Sequence, residues 1–337
     1  MIYNKKSASA YDHERRAVQK MVRTFYYLLK MGESIMKIVI AGGSGFIGTA
    51  LTNKLTENGH HVYILTRKAA TKPAKENVTY VEWLNEGDVP EEKLNGVDAI
   101  INLAGENLNS GRWTTKKKQE IMESRIVATR EIVRIIRALE TKPEVLFNGS
   151  AIGYYGISET ETFTEDSQNN TSDFLGDVVE KWEQEASNAK DDLRVVYGRF
   201  GIVLGKEDGA LKKMLLPFKL FIGGNLGTGK QWMSWIHLDD LVDAIIFSIE
   251  TPSIVGPVNM TAPQPVVMKE FGKSLASVLN RPYWAPVPKF LLKATLGEMS
   301  ILVVEGQRVI PKVLQENGFS FKYDEIKPAL EDLLSAK

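Results

Sequence analysis

The chain has 337 residues, with 42 Lys and Arg against 42 Asp and Glu for a formal net charge of zero, and is 43% hydrophobic and 25% charged. That length supports one large α/β domain or two smaller ones, and the balanced charge gives no electrostatic footprint for nucleic acid. With no cysteine and only four scattered histidines, disulfides, thiolate nucleophiles and Cys-ligated metals are excluded, no metal site is expected, and a reducing, cytoplasmic setting is.

Residues 1–35 precede the first strand. Within them Val18, Met21, Val22, Phe25, Tyr26 and Leu29 recur at helical spacing beside Arg15, Arg16, Lys20 and Arg23, the pattern of a basic amphipathic helix that lies on a membrane or a partner. Met36 stands directly before an apolar run, where a compact domain would begin. This favours reading the segment as an upstream extension not native to the domain. From Lys37 onward, strand-like runs at 37–41, 61–65, 78–81, 99–103, 145–147 and 194–200 alternate with helical patterns at 46–58, 113–139 and 173–188. The alternation predicts an α/β, Rossmann-like doubly wound parallel sheet wrapped by helices. After Gly205 the pattern changes: Gly223, Gly224, Gly227 and Gly229 punctuate a loop, and prolines become frequent. The expected division is a nucleotide-binding domain over 36–205 and a smaller substrate-side lobe over 206–337, with a strand of the sheet free to return after 230. No apolar run reaches the ~18 to 20 residues of a membrane span.

The stretch Lys37-Ile-Val-Ile-Ala-Gly-Gly-Ser-Gly-Phe-Ile-Gly48 is the most informative. A short apolar strand runs into a glycine loop that opens a helix, the entry half of a dinucleotide site. Gly42 permits the tight turn, Gly45 lets backbone N–H groups approach a pyrophosphate, and Gly48 lets the helix pack against the strand. The helix N-terminus adds partial positive charge. An ordinary strand-to-helix turn is the competing reading, and the combined strand and helix context favours the nucleotide loop. A NAD site usually places a carboxylate about 20 residues farther on, at the end of the second strand. Here that strand ends Leu65-Thr66-Arg67-Lys68. A guanidinium and a hydroxyl suit a ribose 2′-phosphate, so NADP(H) is expected rather than NAD.

Five motifs occur in the order of extended short-chain dehydrogenase/reductases, which the chain resembles. They are the glycine loop, Asn102-Leu-Ala-Gly105, Ser150 with Tyr155-Gly156, Arg199-Phe-Gly-Ile-Val-Leu-Gly205 and Trp235-Ile-His-Leu-Asp-Asp240. More closely, Asn102-Leu-Ala-Gly-Glu-Asn107, Ser124-Arg125, Ser150-Ala-Ile-Gly-Tyr-Tyr-Gly156 and Gly229-Lys-Gln-Trp-Met-Ser-Trp-Ile-His237 look like the NADP-binding epimerase family branch. Pro282 to Leu334, with Gly297-Glu-Met299 and Glu305-Gly-Gln307, resembles its short C-terminal module. The resemblance runs from about Met36 to the end. It implies cofactor roles for Gly42, Ser44, Gly45, Phe46, Ile47 and Gly48, for Thr66, Arg67, Leu103, Ala104 and Gly105, and for Glu120 with Arg125 on the helix after the fourth strand. Without it, Leu103 and Ala104 read as core, and Glu120 and Arg125 equally well as surface charge; Lys116 to Lys118 are read as a solvated helix face.

In short-chain reductases a Tyr-x-x-x-Lys pair on a helix moves the substrate's hydroxyl proton, while a serine on the fifth strand orients the carbonyl. Ser150 stands where the serine should, but the pair aligns with Phe174 and Val178, and neither carries a proton. Substitutes are Tyr154, Tyr155, Glu106 and His237, of which Tyr154 is the best proton donor. Tyr155 reads as packed with a bonded hydroxyl and His237 as the cap of a helix near Asp239. Trp232, Met233 and Trp235 either floor an apolar pocket or pack in the core. The expected function is an NADP(H)-dependent oxidoreductase with Ser150 and Tyr154 as catalytic residues, acting on a small carbonyl or sugar-like substrate. The alternative is a non-catalytic NADP(H)-binding or redox-sensing protein. No nucleic-acid partner is expected, and a homodimer is left open.

Overall fold

Seven strands pair in parallel: β1 (Lys37–Ala41), β2 (His61–Thr66), β3 (Val78–Glu82), β4 (Ala99–Asn102), β5 (Val145–Ala151), β6 (Arg194–Phe200) and β7 (Gly256–Met260). Their spatial order is β7-β6-β5-β4-β1-β2-β3. The computed structural model describes residues 35–335 apart from 170, 172 and 207, so the amphipathic stretch from Val18 to Leu29 lies outside the described residues. Strand β4 is buried throughout and β1 everywhere except Lys37, as a parallel sheet covered on both faces requires. Strand order reverses between β1 and β4, which opens the crevice where α/β sheets take their ligands. Ala41 is registered with Leu65 on one side and Asn102 on the other. The glycine loop, the end of β2 and the turn after β4 therefore leave the sheet at one edge.

The longer helices up to residue 250 are α1 (Phe46–Glu57), α2 (Thr115–Ala138), α3 (Phe174–Ser187), α4 (Ala210–Lys219) and α5 (Leu238–Glu250). Helix α1 packs on α5 and α2 on α3. Three N-termini are closed by side chains: Thr114 accepts from the Lys117 N–H, Asp173 from Gly176 and the His237 ring from Asp239. The His237 cap is the role its sequence context suggests. Strand β7 returns to the sheet edge beside β6, so the later part of the chain shares one compact unit, residues 37–337, with the earlier part.

The C-terminal segment is fastened to this body by strand pairing and by buried acceptors. Thr162–Phe163 pairs with Arg308–Val309. The Glu165 carboxylate accepts from the N–H groups of Asn259, Lys312 and Val313. Asp240, 1% exposed, accepts from the N–H groups of Lys322 at 2.8 Å and Tyr323 at 2.9 Å. Burial pushes the Asp240 carboxyl up to about 6 from the ordinary 3.8, against the pull of those two bonds. The folded chain thus holds this proton more tightly than the unfolded chain. Stability contributed by the protonated group is present below the unfolded value and is lost as pH rises from about 4 through about 6. Asp240→Asn should flatten that part of the profile, by on the order of 3 kcal/mol across the window. Urea midpoints measured every half pH unit check it, and an unchanged slope would refute it.

Candidate functional site

The glycine loop is built by close backbone packing. Gly42 has φ +82°, and a Cβ there would lie 2.7 Å from the Leu103 carbonyl carbon; a Cβ on Gly48 would lie 2.2 Å from the Gly42 oxygen. Both positions admit only glycine. Gly45 differs: φ is −77° and a Cβ would meet only the Gly42 oxygen, at 3.2 Å. Gly45 stands at the N-cap of α1 with no side chain to close the helix, and the first turn carries no acid. Its unclosed N–H groups and the helix dipole make a ready anion site. Ser44 is exposed, Ile47 is half-buried, and the Phe46 ring packs where a Cβ on Gly205 or Gly209 would intrude.

At the end of β2, Thr66 is half-buried and Arg67 exposed. The Arg67 carbonyl accepts from Asn85 Nδ2 at 3.2 Å, which holds the backbone while the guanidinium faces water. The turn after β4 is fixed from beneath by Asn102, which is wholly buried. Asn102 donates to Thr129 at 2.9 Å and Asn148 at 2.7 Å and accepts from the Ala104 N–H. Leu103 and Ala104 are thereby presented half-buried, with Gly105 exposed. Arg125 reaches under this turn. Its Nη1 donates to the carbonyls of Glu106 and Ile121, and its guanidinium lies 5.0 Å from the Trp182 ring. Burial pulls its pKa down to about 10. Glu120 is exposed and turns instead to Lys117, at 3.4 Å. Lys117 also holds Glu106 at 2.5 Å and Lys118 pairs with Glu298, so two of the three lysines expected on a solvated face are tied down. The lysine and the Ser110 hydroxyl hold the Glu106 carboxyl below the usual range.

The serine expected to carry the chemistry joins a buried polar chain, and the expected tyrosine, Tyr154, stacks against it. Ser150, 1% exposed, donates to Glu183 Oε1 at 2.6 Å. Glu183 is gripped by Arg199 through two bonds of 2.8 and 2.9 Å. Arg199 Nη1 donates to the Tyr155 hydroxyl, which donates to Asn259 at 2.7 Å. Tyr155 is thus bonded and packed, and burial pushes its phenol up to about 12. Tyr154 is half-buried, with the Arg199 guanidinium 3.4 Å from its ring centre. Glu183 does not stand out from sequence patterning, and Arg199 opens a motif of the resemblance without a role being assigned to it there. The available signal was an arginine inside the apolar run Arg194–Phe200, where an unpaired charge would be costly.

Phe174 opens α3 and meets Trp113 edge-on at 5.3 Å, while Val178 is buried one turn later. Phe174, Leu175, Trp113 and Ile301 border a cavity of about 560 Å³ that Lys118 and Glu298 also line, a size suited to a small organic ligand. Met233 and Trp235 are wholly buried and Trp232 donates to the Glu159 carbonyl, so these three serve packing. Among the described residues no cluster of His, Asp or Glu is arranged to hold a metal ion.

The sequence profile of the NAD dependent epimerase/dehydratase family matches residues 38–260. The chain belongs to that family. A second profile, a domain of unknown function named DUF1731, matches residues 287–333. Among relatives, epimerase family protein YfhF of Bacillus subtilis is 50% identical over 301 residues, spanning 89% of this chain and 98% of its own. Epimerase family protein SH2119 of Staphylococcus haemolyticus is 45% identical over 306 residues, 89% and 99% of the two chains. The crystal structure of human epimerase family protein SDR39U1 (isoform 2), solved with NADPH, superposes with a TM-score of 0.79 at 32% identity, covering 88% of this chain and 99% of that one. The nucleoside-diphosphate sugar epimerase from Corynebacterium glutamicum follows at 0.70 and 29% identity, over 89% of this chain and 58% of its own. The family resemblance, its C-terminal module and the Rossmann-like fold expected from sequence all hold.

Proposed function

We propose that the chain is an NADP(H)-dependent oxidoreductase acting on a small carbonyl or sugar-like substrate. The end of β2 carries this reading. Arg67 is exposed and makes no ion pair among the described residues. Glu82, registered opposite Thr66, already accepts from the Ala69 N–H, which leaves it poorly placed to take a ribose hydroxyl. Arg67 and Thr66 would hold the 2′-phosphate, the N–H groups of Ser44 to Gly48 the pyrophosphate, and Leu103 to Gly105 a wall of small residues beside the adenosine. The NADPH in the human relative's structure supports the same choice.

When bound, the nicotinamide supplies or accepts a hydride. Tyr154 gives the proton to the substrate oxygen, with Arg199 fixing its ring. Ser150 polarises that oxygen once its hydroxyl turns from Glu183. A second reading, a non-catalytic NADP(H)-binding or redox-sensing protein, is favoured by Phe174 and Val178 and by the Ser150 proton being directed at Glu183. The two separate by following NADPH fluorescence on binding and NADPH absorbance with aldehydes, ketones and nucleotide sugars. Turnover lost in Tyr154→Phe supports the enzyme, and tight binding without turnover on any substrate selects the second reading. Arg67→Asp should weaken NADPH about 10- to 100-fold, the loss of one charge-assisted phosphate contact. NADH should change little. Equal losses for both would refute the 2′-phosphate role.

A further inference from the structure

Two segments distant in sequence, residues 210–230 and 281–296, are laced together on the surface. Trp284 donates through its ring N–H to the Phe221 carbonyl and through its backbone to Gly223. The Val287 N–H donates to Asn225, the Gly227 N–H returns a bond to Val287, and the Arg281 guanidinium lies 4.4 Å from the Phe221 ring. The first segment leaves Leu216, Leu220, Phe221 and Ile222 about half exposed or more. The second leaves Trp284 at 66%, Phe290 at 73% and Leu291 at 46%. Its helix, Lys289–Leu296, buries no residue. Single exposed apolar side chains need no account, but a joined set of this kind marks an interaction surface.

The charge on these segments is one-signed. Residues 210–230 carry Lys212, Lys213, Lys219 and Lys230, residues 281–296 carry Arg281, Lys289 and Lys293, and neither holds an Asp or Glu, in a chain whose acids and bases are equal in number. Among the described residues, only Lys289 of these has an ion-pair partner, Glu305. From this juxtaposition we infer that the face docks on an anionic lipid surface, its Trp, Phe and Leu side chains entering the headgroup boundary and its Lys and Arg meeting lipid phosphates. A second copy fits poorly, because a twofold contact would set like charges against each other. The stretch from Arg15 to Leu29 carries the same sign. No helix among the described residues is long and apolar enough to cross a membrane.

The full chain should float with vesicles of phosphatidylglycerol and phosphatidylcholine in equal parts, lose them as salt is raised, and ignore pure phosphatidylcholine. Leu220→Ser with Phe290→Ser, and separately Lys219→Glu with Lys293→Glu, should each lower partitioning at least tenfold while Tm stays unchanged, since all four side chains face water. Absence of flotation overturns the inference. Variants that float like the parent also overturn it, by moving the binding to another segment such as Arg15 to Leu29. So does patch-dependent binding of polyglutamate without any to vesicles, which would mark an acidic protein partner. Self-association that the patch variants abolish, with no vesicle binding, would mark a second copy and overturn it as well.

Discussion

Glu183→Ala should destabilise the folded chain by about 3 to 5 kcal/mol, the cost of stripping a buried ion of its partner. The side chains of Arg199 and Glu183 are 4% and 13% exposed. Removing the carboxylate leaves two guanidinium N–H groups and the Ser150 hydroxyl without their acceptor, and water has little access to replace it. For a chain of this size the loss is on the order of 10 °C in Tm. Glu183→Leu with Arg199→Met should recover much of it, because an apolar pair leaves no buried charge unmatched. Thermal unfolding of Glu183→Leu, Arg199→Met and the double variant forms a cycle. Losses below about 1 kcal/mol in both singles would show that the pair is solvated and the argument wrong.

The same chain of bonds bears on the proposed function. Arg199 stacks on Tyr154, bonds Tyr155 and holds Glu183, which in turn holds Ser150. In the residues aligned with the usual pair, Phe174 and Val178 offer no charge and no proton. A fixed positive charge is instead provided from β6, on the neighbouring strand to Ser150, where the two are registered side by side. Loss of Glu183 should therefore disturb the setting of Tyr154 even at temperatures where the chain stays folded.

What sequence made legible follows from which interactions are local. The glycine loop could be read because the turn and the helix packing are local: Gly42 takes φ +82° and Gly48 packs on the backbone of Gly42 and Gly43, whereas the contact of Gly42 with Leu103 is distant in sequence. The bounds expected for the run Arg194–Phe200 match the strand, although Gly198 and Arg199 interrupt its apolar residues. Strand β5 runs on to Ala151, whereas the apolar pattern ends at Phe147. Asn148 and Ser150 break that pattern, yet both are buried, because Asn102 and Glu183 satisfy them from elements 46 and 33 residues away. Lys117 and Lys118 misled for the same reason: their carboxylates, Glu106 and Glu298, lie outside the helix that carries them. Polar pairing between distant segments leaves no periodic trace.

Gly48→Ala should cost at least about 100-fold in NADPH affinity, close to 2.7 kcal/mol. The new methyl would sit 2.2 Å from the Gly42 oxygen and 2.7 Å from the Gly43 Cα, both backbone atoms that no rotamer change can move. Helix α1 would have to back away from the loop, and its first-turn N–H groups with it. The loop cannot retreat the other way, since Gly42 is already pressed against the Leu103 carbonyl. Gly45→Ala is the informative contrast. At φ −77° an alanine has no backbone strain, and its one close neighbour, the Gly42 oxygen at 3.2 Å, need give only a few tenths of an ångström, so the fold should lose far less Tm than with Gly48→Ala. Any loss of NADPH binding there reports a methyl group standing where a phosphate must approach. Calorimetric titration of both variants separates the two effects. If Gly48→Ala binds within threefold of the parent, helix position does not govern the site; if Gly45→Ala binds as well as the parent, the nucleotide does not approach the loop at that residue.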